Sequence, residues 1–153
     1  WSEWYPDVLN ADNKMVKSGK YLWQSGWWLQ HQRIISMLEN QKQIPIILQG
    51  DLHMSALGEM LQSGDITLKK PILMLGTGAL GTGTRGFPSS VRGTGAVIPF
   101  DLKVKEILKP LEKNGFSILK IKQNATDIEM YAWRPGDAAI KNIKPIVNKR
   151  IIR

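Results

Sequence analysis

The stretch from Trp27 to Gln49 constrains the fold of this chain more than any other. Apolar residues recur at Trp27, Trp28, Ile34, Ile35 and Leu38, with Met37 beside them. That spacing puts them on one face of a helix running to about Gln41. Ser25 is placed to cap its start. Pro45 ends it, because the residue before a proline resists the α region. Pro45-Ile46-Ile47-Leu48-Gln49 follows at once, unbroken and rich in β-branched residues, as in a strand buried on both faces of a mostly parallel sheet. A helix that empties directly into such a strand predicts an α/β layered domain.

The rest of the chain is read against that pair. At 153 residues it has the length of one ordinary domain. No apolar run approaches the roughly 18 residues a membrane helix needs, so no membrane span is expected. Five of the six tryptophans fall at Trp1, Trp4, Trp23, Trp27 and Trp28. Such a cluster reads as packing rather than an exposed ligand platform. Asn10–Ser25 reads as a polar loop. Phe100 to Lys113 is expected to hold a helix weakened by Pro110. Phe116–Ile121 and Ile128–Trp133 read as half-exposed strands paired antiparallel through a turn at Gln123–Asp127. Asn124-Ala125-Thr126 fits a glycosylation pattern but falls in that turn. Residues 136–153 read as an extended basic tail.

The chemistry concentrates where the first strand ends, at Gly50-Asp51-Leu52-His53. Open α/β sheets place their sites just beyond the carboxyl ends of strands. In extended backbone Asp51 and His53 would point to one side, about 6.6 Å apart. An imidazole and a carboxylate so placed suit zinc, iron or manganese better than magnesium alone. The chain holds no cysteine, which excludes a disulfide framework, a thiol nucleophile and every cysteine-ligated metal site. His31 and His53 are its only histidines. His31 falls on the apolar side of the helix and reads as a core histidine with one hydrogen bond. Ser55, two residues after His53, is a triad member only if the fold supplies the partners.

Gly76-Thr77-Gly78-Ala79-Leu80-Gly81 follows an apolar run and matches the spacing of a dinucleotide-binding turn. No helix can open there, because the chain continues Thr82-Gly83-Thr84-Arg85-Gly86-Phe87-Pro88. The stretch reads instead as a loop near the mouth of the site, with Arg85 or Arg92 placed to contact a phosphate oxygen. A P-loop, a G-x-S-x-G elbow and an H-E-x-x-H helix are all absent from the sequence.

The helix, the apolar strand and Gly50-Asp51-Leu52-His53-Met54-Ser55 together resemble the carboxyl-terminal portion of PhoD-like alkaline phosphatases, within the calcineurin-like metallophosphoesterases. Trp1-Ser2-Glu3-Trp4-Tyr5-Pro6 and the span from Asn114-Gly115-Phe116 to Trp133-Arg134 are similar to further segments of that family. The resemblance covers residues 1–135. It implies part of a layered metallophosphoesterase sandwich, with a helix, a buried strand, a glycine-rich loop and a late antiparallel strand pair. It implies hydrolysis of phosphate esters by a metal-bound hydroxide at a two-metal site, with His53 as a catalytic metal ligand and Asp51 as a ligand or a ligand's partner. Divalent or trivalent ions are implied, whether iron, zinc, manganese or calcium. It also implies a secreted or periplasmic location. The general superfamily carries Gly-His-x-His where this chain has Gly50-Asp51-Leu52-His53.

The family's Asp-x-His, Gly-Asp-x-x-Asp and Gly-Asn-His motifs do not occur in this sequence. The expectation is therefore the last part of an enzyme, inactive alone, whose other ligands lie in a missing amino-terminal part. The start at Trp1 fits processing or a piece of something longer. A rival reading rests on charge. Residues 103–153 carry 12 Lys+Arg against 5 Asp+Glu, whereas residues 1–102 carry 9 against 8. That excess suits a non-enzymatic module binding anions or nucleic acid. Nucleic acid is disfavoured, because the lysines are scattered and Lys141–Arg153 holds no aromatic residue to stack on bases.

Overall fold

In the computed structural model, residues 7–10, 25–50, 53–81, 94–96, 98, 102–137 and 142–152 are described. Among them stand one helix and nine strands. These are β1 (Asp7–Asn10), α1 (Ser25–Glu39), β2 (Ile46–Gln49), β3 (Ser55–Ser63), β4 (Ile66–Thr77), β5 (Thr94–Ala96), β6 (Leu102–Leu111), β7 (Asn114–Ile121), β8 (Ala125–Trp133) and β9 (Val147–Ile152). The expected α/β layered fold is therefore corrected to a mostly β one. Chain reversal after β2 uses no crossover helix. Only residues 50–54 separate β2 from β3, and β3 runs antiparallel to β2 and β4.

Three sheets result. The first has the order β2-β4-β3-β6, the second β7-β8-β9, and β1 pairs antiparallel with β5 in a separate two-stranded ladder. β4 is apolar on both faces from Ile72 to Leu75, and its period of two divides the core. Ile72 and Met74 face α1, packing with Ile35, Ala56 and Met60. Leu73 and Leu75 face the other way, packing with Leu57 of β3, Ile128 and Met130 of β8 and Ile151 of β9. The first sheet is thus the middle layer, with α1 on one face and the second sheet on the other.

β2 is parallel to β4, as its apolar run implied, with Ile46 opposite Leu73 and Gln49 opposite Gly76. It is not buried on both faces, however. It is an edge strand, and Leu48 is 56% exposed. The helix expected from Phe100 to Lys113 is instead β6, an edge strand of the first sheet. Leu102 and Val104 turn inward between Lys103 and Lys105, a strand period. Pro110 is tolerated there because an edge strand has one side without ladder bonds. The late pair forms as β7 and β8, with Ile118 opposite Glu129. Within the stretch expected as an extended basic tail, Val147–Ile152 is β9, laddered on β8. Lys149 of β9 reaches across the sandwich to Glu59 of β3 at 2.9 Å, and Lys105 reaches the same carboxylate at 3.3 Å. Burial pushes the Glu59 carboxyl up, but the hydrogen bonds from the two lysines outweigh it and hold it below its ordinary range.

α1 docks on the β3–β4 turn. His31 is buried, with Nε2 3.0 Å from the Ser63 hydroxyl, and Gln32 donates to that hydroxyl at 2.9 Å. Trp28 stacks on His31 with ring centroids 5.4 Å apart. Gly64, at φ +55°, lets the turn pass beneath Trp28, where a Cβ would stand 2.8 Å from the indole ring. His31 is the core histidine its position implied.

Burial lowers the His31 pKa to about 4. The unfolded chain takes up this proton near pH 6.5, whereas the folded protein refuses it until about pH 4. Stability is therefore expected to fall as pH drops through that window and to level off below it. The loss is at most about 3 kcal/mol, trimmed by whatever solvent reaches the ring edge. Urea denaturation at pH 7, 5.5 and 4 checks this, with His31→Gln expected to flatten that part of the profile. Gly115 of β7 gives a second expectation. A Cβ there would lie 2.6 Å from the Tyr131 carbonyl oxygen and 2.8 Å from the Ser55 hydroxyl. Gly115→Ala should cost about 2 kcal/mol or more in the same assay, because backbone cannot move aside cheaply.

Candidate functional site

The strand order dictates where the Gly50–His53 segment goes. β2 and β3 are consecutive in the chain, yet β4 lies between them. Gly76 of β4 has Gln49 as its neighbour on one side and Ala56 on the other. The chain from Gly50 to Ser55 must therefore arch over the carboxyl end of β4, across two strand spacings of about 4.8 Å each. The glycine-rich stretch leaves β4 under that same arch. Two motifs about 25 residues apart in sequence are thus forced together at the carboxyl ends of the two parallel strands.

The residues of this end are held by short local contacts. The Thr77 hydroxyl donates to the Gln49 carbonyl at 3.4 Å. Gly78 has φ +81°, and beyond it the Ala79 carbonyl accepts from the Gly115 amide at 2.9 Å, joining the loop to the start of β7. The Ser55 hydroxyl fills the gap between two glycines. A Cβ on Gly78 would stand 2.5 Å from it, and one on Gly115 2.8 Å. Ser55 is 1% exposed and its hydroxyl has no hydrogen-bond partner among the described residues. Among the described residues it is a buried packing group, with no base in hydrogen-bond reach. On β2, the carboxamide oxygen of the buried Gln49 likewise lacks a partner among the described residues.

His53 lies in the arch, half-buried, at a bend two residues before β3. Asp51, Arg85 and Arg92 lie outside the described residues. His31 cannot join His53 at one metal. His31 bonds Ser63 at the far end of β3, and His53 precedes Ser55 at the near end. Eight strand steps of about 3.3 Å separate those ends, roughly 26 Å. Among the described residues, no group of three or more His, Asp or Glu side chains could hold an ion. The imidazole of His53 fits a metal in kind, and a carboxylate at Asp51 would too. The donor set is too small for a two-metal centre.

Ser55 and Thr77 stand next to the motifs the sequence marks, but the packing of Gly115 against the Ser55 hydroxyl has no sequence signal. Ser63-Gly64-Asp65, followed by the alternating Ile66-Thr67-Leu68-Lys69, was the available signal for the β3–β4 hairpin that assembles it.

Comparisons with protein-family models, with curated proteins and with solved structures each find no match to this chain.

Removing a buried hydroxyl that has no partner among the described residues should not destabilise the fold. Ser55→Ala is expected to leave stability unchanged or to raise it by up to about 1 kcal/mol. A loss of more than about 1 kcal/mol in urea titration would show that the hydroxyl is bonded after all.

Proposed function

We propose that this chain is the carboxyl-terminal part of a metal-dependent phosphoesterase resembling the PhoD-like alkaline phosphatases. The observation that carries this is the arch of Gly50–Ser55 over Gly76. It sets His53 beyond the carboxyl ends of two parallel strands and beside a glycine-rich loop. In this reading His53 donates its imidazole to a metal ion, and Asp51 donates a carboxylate or orients the imidazole. Arg85 holds a phosphate oxygen. When bound, the ions would supply the nucleophile and offset the charge that develops on the ester oxygens. The other ligands come from an amino-terminal part of the same protein, since the two histidines here stand at opposite ends of β3. An exported location belongs to the same reading.

The anion-binding alternative gains no specific support. Five of the twelve basic residues in the last third, Lys105, Lys120, Lys122, Lys149 and Arg150, are held in ion pairs with Glu59, Asp127 and Glu129. No described helix is long and apolar enough to cross a membrane.

The test uses protein expressed from its complete reading frame. It should hydrolyse a nitrophenyl phosphate ester and carry metal by elemental analysis. His53→Ala should lose more than about 100-fold in rate, beyond what changes in residues around a ligand cause, and lose bound metal with it. His53→Gln, checked by circular dichroism, guards against simple misfolding. Retention of both rate and metal by these variants would sink the proposal.

A further inference from the structure

Gln49 closes β2 with a side-chain oxygen that the fold leaves bare. The residue is 7% exposed, and its carboxamide oxygen has no hydrogen-bond partner among the described residues. A buried acceptor in that state is costly, and native structures keep one only where something else completes it. The main-chain carbonyl of Gln49 is already taken by the Thr77 hydroxyl at 3.4 Å. The unmet capacity therefore belongs to the side chain alone.

The fold puts this oxygen at the foot of the arch. Alternation along β2 turns Gln49 to the same face as Ile47, which packs with the helix-side cluster. Its neighbours across the sheet on that face are Gly76 and then Ala56. Neither has a side chain long enough to fill the space beside the carboxamide. Gly50 comes next, and a Cβ there would meet nothing within 4 Å. His53 lies on the same arch, four residues after Gln49 and three before Ala56. The arch spans about 10 Å between those two strand positions, a gap that a glutamine and a histidine side chain can close around one ion.

We infer that the Gln49 carboxamide oxygen is a further donor to the metal ion that His53 is proposed to hold. The inference rests on the phosphoesterase reading and sharpens it, because the added donor bears on which ion binds. Carbonyl and carboxylate oxygens suit manganese, magnesium and calcium, whereas imidazole suits zinc and iron. Gln49 therefore tilts an imidazole site towards Mn²⁺. A neutral carboxamide also suits its place, since it can stay buried when no ion is bound at far less cost than a carboxylate.

The probes are Mn²⁺ alone, followed by electron paramagnetic resonance, and Zn²⁺ alone, read against a chromophoric chelator. Both are titrated into protein expressed from its complete reading frame. Gln49→Met keeps the length of the side chain and removes the oxygen. It should weaken Mn²⁺ binding by more than the tenfold or so that changes around a ligand cause, and Zn²⁺ binding less. Gln49→Glu returns an oxygen donor and should restore Mn²⁺ affinity. Without metal, Gln49→Met should unfold at the same urea concentration as the unaltered protein or a higher one, because no protein hydrogen bond is lost. Unchanged Mn²⁺ affinity in Gln49→Met, as when only water meets the carboxamide, would overturn the inference. So would an equal loss of both ions, a lower urea midpoint, or no Mn²⁺ binding by the unaltered protein. If Gln49→Met binds Mn²⁺ normally while His53→Ala loses metal, this inference falls and the phosphoesterase reading stands. If His53→Ala keeps its metal, both fall.

Discussion

The parallel ladder between β2 and β4 is the contact on which the rest of this structure depends. β4 joins the layers. It pairs with β2 on one side and β3 on the other, and presents Ile72 and Met74 to the helix layer and Leu73 and Leu75 to the second sheet. Inserting it between two consecutive strands forces the chain to arch over its end. The glycine-rich exit, the buried Ser55 hydroxyl and the position of His53 all follow from that insertion.

The helix and the first strand were legible because each carries its own period and a proline separates them. The β7–β8 pair was legible because both strands alternate. The α/β reading failed because one helix–strand step was extended to the whole chain. β6 was misread because Leu102, Val104 and Leu108 with interspersed lysines satisfy a short helical window almost as well as a strand. β3 was missed because it is buried on both faces in its first half and shows no alternation there. A central strand of this kind is specified by its neighbours, not by its own pattern.

The candidate site divides along the same line. Asp51 and His53 stand out in the sequence because acid and imidazole beside a glycine have recognisable chemistry. The arrangement around them depends on strand order, which local sequence does not encode. Gly78 and Gly115 matter because Ser55 occupies the space their missing side chains leave. No property of either residue in isolation signals that. His31, by contrast, needed only its place on the apolar face of the helix.

The inserted strand also has a consequence for how the protein reaches its native state. The β3–β4 hairpin closes through a turn of two residues and can form early. β2 pairs with β4 only after the chain between Ile46 and Leu73 has been looped out, and β6 must find β3 across a longer stretch still. Contacts of such long range are costly in chain entropy and come late in folding. The arch over Gly76 spans one of them, so it exists only once the slow pairings are complete. A partly folded chain would hold its hairpin and lack the site, which ties ligand binding to the finished protein and separates it from any compact intermediate.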